Sequence, residues 1–252
     1  VPVGVGMGSS VALCAAVALA LNDAWRVGAD AATLAKVCNA AESLAAGEDV
    51  GMGPALAALT GAADSAVLLD GRSKDYDCVP LGLDASRFCL IVIHTSGQPV
   101  TLPTLGSRLE GIEGVLDALQ ATSLREVTTD SIAGVGDLEG IEHVDIRLSQ
   151  HVVRENARVL DAVRGFREEG PEAIGQILTD SHYSLTDVFG RQPLEVELAL
   201  HTALENGAVG AKLLGHRMSS SLVALAPRDM TSQISQALDA AFSEHGFQPP
   251  DE

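Results

Sequence analysis

Near its start the chain spaces three glycines at alternate positions, Gly4, Gly6 and Gly8, and follows them with Ser9, Ser10 and an unbroken apolar run over residues 11–21. Alternate glycines free the backbone to take conformations that side chains forbid. Ahead of a helix they also expose N–H groups to an anion, and the helix dipole adds to the attraction. Ser9 or Ser10 stands where it can cap a helix expected to reach Asn22. The apolar run falls far short of the roughly 20 residues that span a bilayer, and no basic segment precedes it as in a signal peptide. It reads as a buried helix. Because Val1 already lies inside this motif, a further segment is expected before it.

Acidic residues number 34 against 16 Lys and Arg, a formal charge of -18. Such a surface repels phosphate backbones and anionic lipid, which argues against nucleic acid and membrane surfaces as partners. Hydrophobic residues make up 46% of the chain and aromatics only 3%, so Ala, Leu and Val must fill a core without large anchors. Cys14, Cys38, Cys78 and Cys89 form no C-x-x-C pair, and no histidine stands near them at metal-ligand spacing. They are expected to be reduced core residues of a cytoplasmic protein.

Helical patterns are expected over residues 31–46, ending at Gly47, and 54–59, with Pro54 in a first turn and Gly61 as the stop. The period then shortens, and residues 66–69, 77–83 and 88–94 read as strands. Helices return over 104–120, 147–167, 172–182 and 193–205, followed by a strand pair at 209–214 and 221–226. Asp229 is placed to cap a last helix ending before Gly246, and 247–252 reads as a tail. The fold class is α+β, with a seam near 95–103.

The first string, from Pro2 to Leu13, resembles the phosphate loop of the GHMP kinases. Further strings follow the order of one branch of that superfamily, the galactokinases: Ala41-Glu42, Gly47, Gly51-Met52, Ala66 through Ser73, and Ser123 through Val127. The series continues with His151-Val152-Val153-Arg154-Glu155-Asn156, Ser181-His182 with Ser184-Leu185, and Gly210-Ala211-Lys212-Leu213 with Gly215. The resemblance implies a two-domain GHMP-kinase-like fold. Residues 1–95 would be the remainder of an incomplete N-terminal domain. Residues 96–252 would be a C-terminal domain of helices packed on antiparallel strands. It implies ATP as nucleotide, held by Gly4, Gly6, Gly8, Ser9 and Ser10, and Mg²⁺ held by Ser10 and Glu42. It also implies phosphorylation of galactose, or a related sugar, at the anomeric hydroxyl.

The family pattern is broken at several places. Where galactokinases carry an Asp beside the sugar hydroxyl, this chain has Pro54, with Ala55 in place of the following Gln. Proline has neither charge nor proton acceptor, and loss of a positioned base costs about 10²- to 10⁴-fold in rate. Glu48 and Asp49 are near in sequence but are expected to point elsewhere. The glycine-rich third motif is replaced by Gly215-His216-Arg217-Met218-Ser219-Ser220-Ser221, and Leu105, followed by Arg108, stands where relatives have a Tyr near the galactose. The family's sugar signature, which precedes the phosphate loop, does not occur within residues 1–252. His94, at a strand end, reads as a hydrogen-bonded structural residue. Three functions stay open: a sugar kinase, a pseudokinase that binds Mg–nucleotide, and an inactive scaffold. Val11, Leu13, Val17, Leu19 and Leu21 make the first helix apolar nearly all round, so it is expected to self-associate or dock on another chain.

Overall fold

Three helices open the chain, each set by signals legible in the sequence. They are α1 (Ser9–Ala24), α2 (Ala31–Ala46) and α3 (Gly53–Thr60), followed by a hairpin of β1 (Ser65–Leu69) and β2 (Tyr76–Pro80) with Ala66 opposite Val79. The computed structural model describes residues 1–47, 50–97, 109–136, 139–190, 192–214 and 220–251. Asp30 starts α2 by accepting a 2.8 Å hydrogen bond from the Thr33 amide, and Gly47 ends it in the left-handed conformation. Pro54 lies in the first turn of α3, where its missing N–H has no consequence. Val11, Ala15, Ala35, Cys38, Ala55 and Leu56 form a small, alanine-rich core, joined by Val67 and Leu69 of β1.

Two expectations for α1 are corrected. Gly8, not a serine, is the N-cap residue, and no side chain caps the helix. Nor is the run 11–21 buried: Leu13 is 67% exposed, and Val17, Leu19 and Leu21 are exposed as well. An apolar surface on every side can place only one stripe against neighbours in the same unit, and that stripe is Val11 and Ala15. Cys78 also departs from the reading, being exposed; all four cysteines are free thiols.

The rest of the described chain builds a second unit from β3 (Phe88–His94), α4 (Leu109–Leu119), α5 (Thr129–Ala133), α6 (His143–Glu168), α7 (Gly175–Phe189), α8 (Leu194–Glu205), β4 (Gly210–Leu213), β5 (Ser221–Pro227) and α9 (Thr231–Glu244). The strands form an antiparallel sheet in the order β3-β5-β4, with His94 opposite Ser221 and Gly210 opposite Leu225. Val196 and Leu200 of α8 and Ile234, Leu238 and Phe242 of α9 are buried against Ile93, Leu222 and Ala224 of the sheet. A second cluster, Val115, Ile132, Ile146 and Val153, joins α4, α5 and α6. Because β3 pairs with β5, the two units part between Ala85 and Ser86, ten residues before the boundary that the family resemblance sets at 95/96.

Smaller differences have local causes. Asp229 caps no helix, because Arg228–Met230 forms a 3-10 turn and α9 begins at Thr231. The reading at 172–182 covers a 3-10 turn, Pro171–Ile174, and only the first half of α7. The tail is anchored: His94 and Asp251 exchange backbone hydrogen bonds of 2.7 and 3.0 Å. His94 also shares a 2.8 Å hydrogen bond with the Ser221 hydroxyl. No helix among the described residues is long and apolar enough to cross a membrane.

β4 is a sheet edge, and α7 covers it. The amides of Ala211 and Leu213 donate to Thr179 Oγ1 at 3.2 Å and to His182 Nδ1 at 3.3 Å. An edge strand with unpaired amides invites association, and here a helix supplies the acceptors. The approach needs two glycines. A Cβ on Gly210 would lie 1.8 Å from the Gly175 carbonyl oxygen, and one on Gly175 would lie 2.4 Å from the Val209 oxygen. Gly210→Ala is therefore expected to lower the unfolding free energy by about 1–3 kcal/mol, measured as a shift in urea midpoint; an unchanged midpoint would contradict the backbone contact.

Accepting a hydrogen bond at Nδ1 fixes the His182 proton on Nε2, which faces Glu197 Oε1 at 3.6 Å. Burial holds the imidazole below its ordinary value; Glu197 pulls the other way, and Lys212 and His201 add to the lowering. His151 is lowered by burial too. The unfolded rings take up protons near pH 6.5 while the folded ones stay neutral, so their stabilising contribution is present above about pH 6.5 and lost as pH falls from there. Urea unfolding is expected to weaken on acidification through this window, by at most about 1.4 kcal/mol per pH unit for each histidine. His182→Gln should flatten the slope, and a slope unaltered by it would refute the assignment.

Candidate functional site

The glycine loop is built as its spacing implies. Gly4, Gly6 and Gly8 all have positive φ, at 86°, 75° and 69°, which side chains rarely tolerate. A Cβ on Gly4 would meet nothing within 4 Å, whereas one on Gly8 would press on Val11 Cγ1 at 3.1 Å. The loop thus winds into the first turn of α1 with no side chain capping the helix, the arrangement that receives anions elsewhere. Ser9 is partly exposed and Ser10 exposed at this end of the helix.

Packing of α1 on α2 brings Glu42 to the same place. Ser10 Oγ donates to Glu42 Oε2 at 2.8 Å, and one turn further along α1 Cys14 Sγ donates to Glu42 Oε1 at 3.2 Å. Glu42 is thus held at both oxygens rather than waving in solvent. The hydrogen bond to Glu42 and burial push the Cys14 thiol up from its ordinary value. Sequence reasoning paired Ser10 with Glu42 but missed Cys14, although its i+4 spacing from Ser10 on a helix facing α2 is a signal that could have found it.

A magnesium ion with oxygen ligands at 2.0–2.1 Å sets adjacent ligand atoms about 2.9 Å apart. The 2.8 Å between Ser10 Oγ and Glu42 Oε2 matches that spacing, and hydroxyl and carboxylate are both hard oxygen donors. The pair therefore fits the ion that the family resemblance implies, with the remaining ligands left to phosphate and water. No group of three or more His, Cys, Asp or Glu able to hold a metal occurs among the described residues.

Pro54 is exposed in the first turn of α3 and brings no carboxylate there. Glu48, Asp49, Leu105, Arg108 and Gly215 through Ser219 lie outside the described residues.

Other strings that carry the family resemblance meet in the second unit, where sequence reasoning assigned them no role. Glu155 on α6 accepts from Ser181 Oγ of α7 at 2.7 Å and from Arg158 Nη1 at 2.5 Å. Lys212 of β4 donates to Ser181 Oγ at 2.8 Å. Burial opposes the charge on Glu155, but the bond from Ser181, the ammonium of Lys212 and the bond from Arg158 together hold its carboxyl below the usual range. Burial holds the Lys212 ammonium below its ordinary value, although Glu155 counteracts it.

A family model for the GHMP kinases N terminal domain matches residues 1–62. The galactokinase of Streptomyces coelicolor is 31% identical to this chain, over 99% of the chain and 65% of that protein. The galactokinase of Thermotoga maritima is 30% identical, over 70% of the chain and 49% of its own length. The chain therefore spans less than two-thirds of either relative. Among solved structures, Lactococcus lactis galactokinase complexed with galactose superposes with a TM-score of 0.86 at 24% identity, covering all of this chain and 66% of that one. The mevalonate kinase of L. major in complex with R-mevalonate follows the fold more loosely, with a TM-score of 0.59 at 17% identity over 92% of this chain and 61% of its own. A loop of left-handed glycines feeding a helix, the match of residues 1–62 to the GHMP kinases N terminal domain and relatives of one name together make this chain galactokinase-like.

Proposed function

We propose that this chain binds a magnesium–nucleotide complex through its glycine loop and, acting alone, does not transfer phosphate to galactose. The observation that carries the reading is the meeting of Ser10 and Glu42 beside the loop, while Pro54 occupies the first turn of α3. The loop amides and the positive end of α1 would receive the phosphates of ATP, and Ser10 and Glu42 would hold Mg²⁺. The ion, when bound, neutralises phosphate charge. Galactokinases phosphorylate the anomeric hydroxyl of galactose; here Pro54 can neither take the hydroxyl proton nor stabilise it electrostatically. Free thiols throughout accord with a reduced, cytoplasmic setting.

Thermal shift decides on binding. A Kd of about 1 mM would give, at about 10 mM MgATP, roughly 1.4 kcal/mol of stabilisation, or about 3–6 °C. Gly8→Val should abolish the shift, since a β-branched side chain cannot follow the backbone at φ 69°, and Glu42→Gln should blunt its dependence on Mg²⁺. No shift in the wild type would leave the inactive scaffold as the reading. Galactose-dependent ADP release at ordinary enzyme rates of about 1–10³ s⁻¹ would overturn the claim of impaired catalysis.

The exposed leucines and valines of α1 favour a partner on that face. Leu13, Val17, Leu19 and Leu21 form a run of exposed apolar side chains on one helix, and covering such surface is worth about 25 cal/mol per Å² before association costs. Self-association through α1, or docking on another chain, is expected in light scattering at micromolar concentration and is expected to disappear in Leu13→Asp/Val17→Asp. A monomer that binds no hydrophobic dye would contradict it.

A further inference from the structure

His151 and Glu155 of α6, Ser181, His182 and Leu185 of α7, and Lys212 and Leu213 of β4 line a cavity of about 140 Å³ within the second unit. At about 30 Å³ per water, that is room for an ion the size of phosphate or acetate. None of these side chains belongs to the glycine loop, and the nucleotide reading gives them no work.

The polar bonds of this cavity do not balance. Glu155 has both oxygens engaged, by Arg158 at 2.5 Å and by Ser181 at 2.7 Å. Ser181 spends its only proton on Glu155, so it meets Lys212 as an acceptor at 2.8 Å. Lys212 Nζ lies 3.9 Å from Glu155 Oε2, too far for a hydrogen bond. Among the described residues, an ammonium with three N–H groups thus makes one hydrogen bond, to a neutral oxygen. Around Lys212, its own charge and that of Arg158 stand against the one carboxylate of Glu155, an excess of one positive charge in a chain whose net charge is -18, while the Glu197 carboxylate faces His182 Nε2 at 3.6 Å. His151 shares a 2.9 Å hydrogen bond with Ser184 through Nδ1. With Ser184 donating, its proton sits on Nε2 and makes the ring a second donor. The His182 ring forms part of the wall with Nε2 buried and unpaired, and Leu185 and Leu213 supply apolar surface. The Lys212 and Glu155 side chains remain 32% and 28% exposed, which gives the cavity a mouth.

We propose that this cavity is a binding site for a small oxyanion, with Lys212 as its cation and His151 as its second donor. An oxyanion there supplies the acceptors that Lys212 lacks and neutralises the excess charge. Glu155 does not exclude it, because Arg158 and Ser181 already hold that carboxylate. The oxyanion could be a phosphate or a carboxylate, and both chemistries suit the donors.

Calorimetric titration of the full chain with sodium phosphate and, separately, sodium acetate tests this, at ionic strength held constant with sodium chloride. Saturable heat with either anion is expected, and the tighter of the two names the class. Binding should persist in Gly8→Val, which separates this cavity from the glycine loop, and should weaken at least about tenfold in Lys212→Met and several-fold in His151→Gln. Lys212→Arg, which keeps the charge, should retain it. On the unmutated protein, reductive methylation of Lys212 followed by mass spectrometry should be slowed by the bound anion, a readout that does not depend on a variant folding. Heats no larger than those of chloride, affinity lost in Gly8→Val, affinity equal in Lys212→Met, or methylation of Lys212 unaffected by the anion would each overturn the proposal.

Discussion

The capping of one strand edge by one helix organises the second unit. Ala211 and Leu213 donate their amides to side chains of α7, so β4 ends the sheet without a free edge. For this the helix must approach until backbone meets backbone, which Gly175 and Gly210 permit. The cost appears beside it: a helix so close buries the polar side chains that face the strand, and their charges need partners nearby. Ser181 and Glu155 supply partners to Lys212, Arg158 pairs with Glu155 in turn, and Glu197 stands opposite His182. The polar cluster is thus a corollary of how the sheet ends.

The first unit follows another logic. Its core is small and alanine-rich, as a chain with 3% aromatics requires, and its helices cross close together. That closeness lets Glu42 reach both Ser10 and Cys14 across the α1–α2 contact. The glycines ahead of α1 leave the end of the helix open, so a carboxylate pinned by two donors stands beside a loop shaped for an anion.

Much of this was legible in the sequence where a local rule decides the outcome. Residues 31–46 were bounded correctly because Asp30 and Gly47 are strong end signals, and 88–94 because seven residues of strand-forming character are bracketed by breaks. Where no cap residue stands, the start was read early, by three residues at α7 and by one at α9. The five residues of α5 are too few to show a period. The pairing of Ser10 with Glu42 came from a family likeness, and the two are in contact in the structure. Cys14 escaped notice because a thiol belongs to no motif. Glu155, Ser181 and Lys212 were all visible in quoted strings, but they lie 26 and 31 positions apart. Only the register of β4 against α7 brings them together. The exposed face of α1 was illegible for another reason: a run apolar on all sides says nothing of which side has a neighbour.

Pro54 has a consequence for how lasting the proposed loss of a carboxylate is. It sits exposed in the first turn of α3, a place where proline is comfortable but not required. The core of that helix rests on Ala55 and Leu56 instead. The first turn of a helix is also where an aspartate is most welcome, since its charge meets the positive end of the dipole. The fold has therefore not adapted around the change. Whatever history put a proline there, the architecture places no barrier against an acid at the same position, and the departure from galactokinase chemistry proposed for this residue is shallow rather than built in.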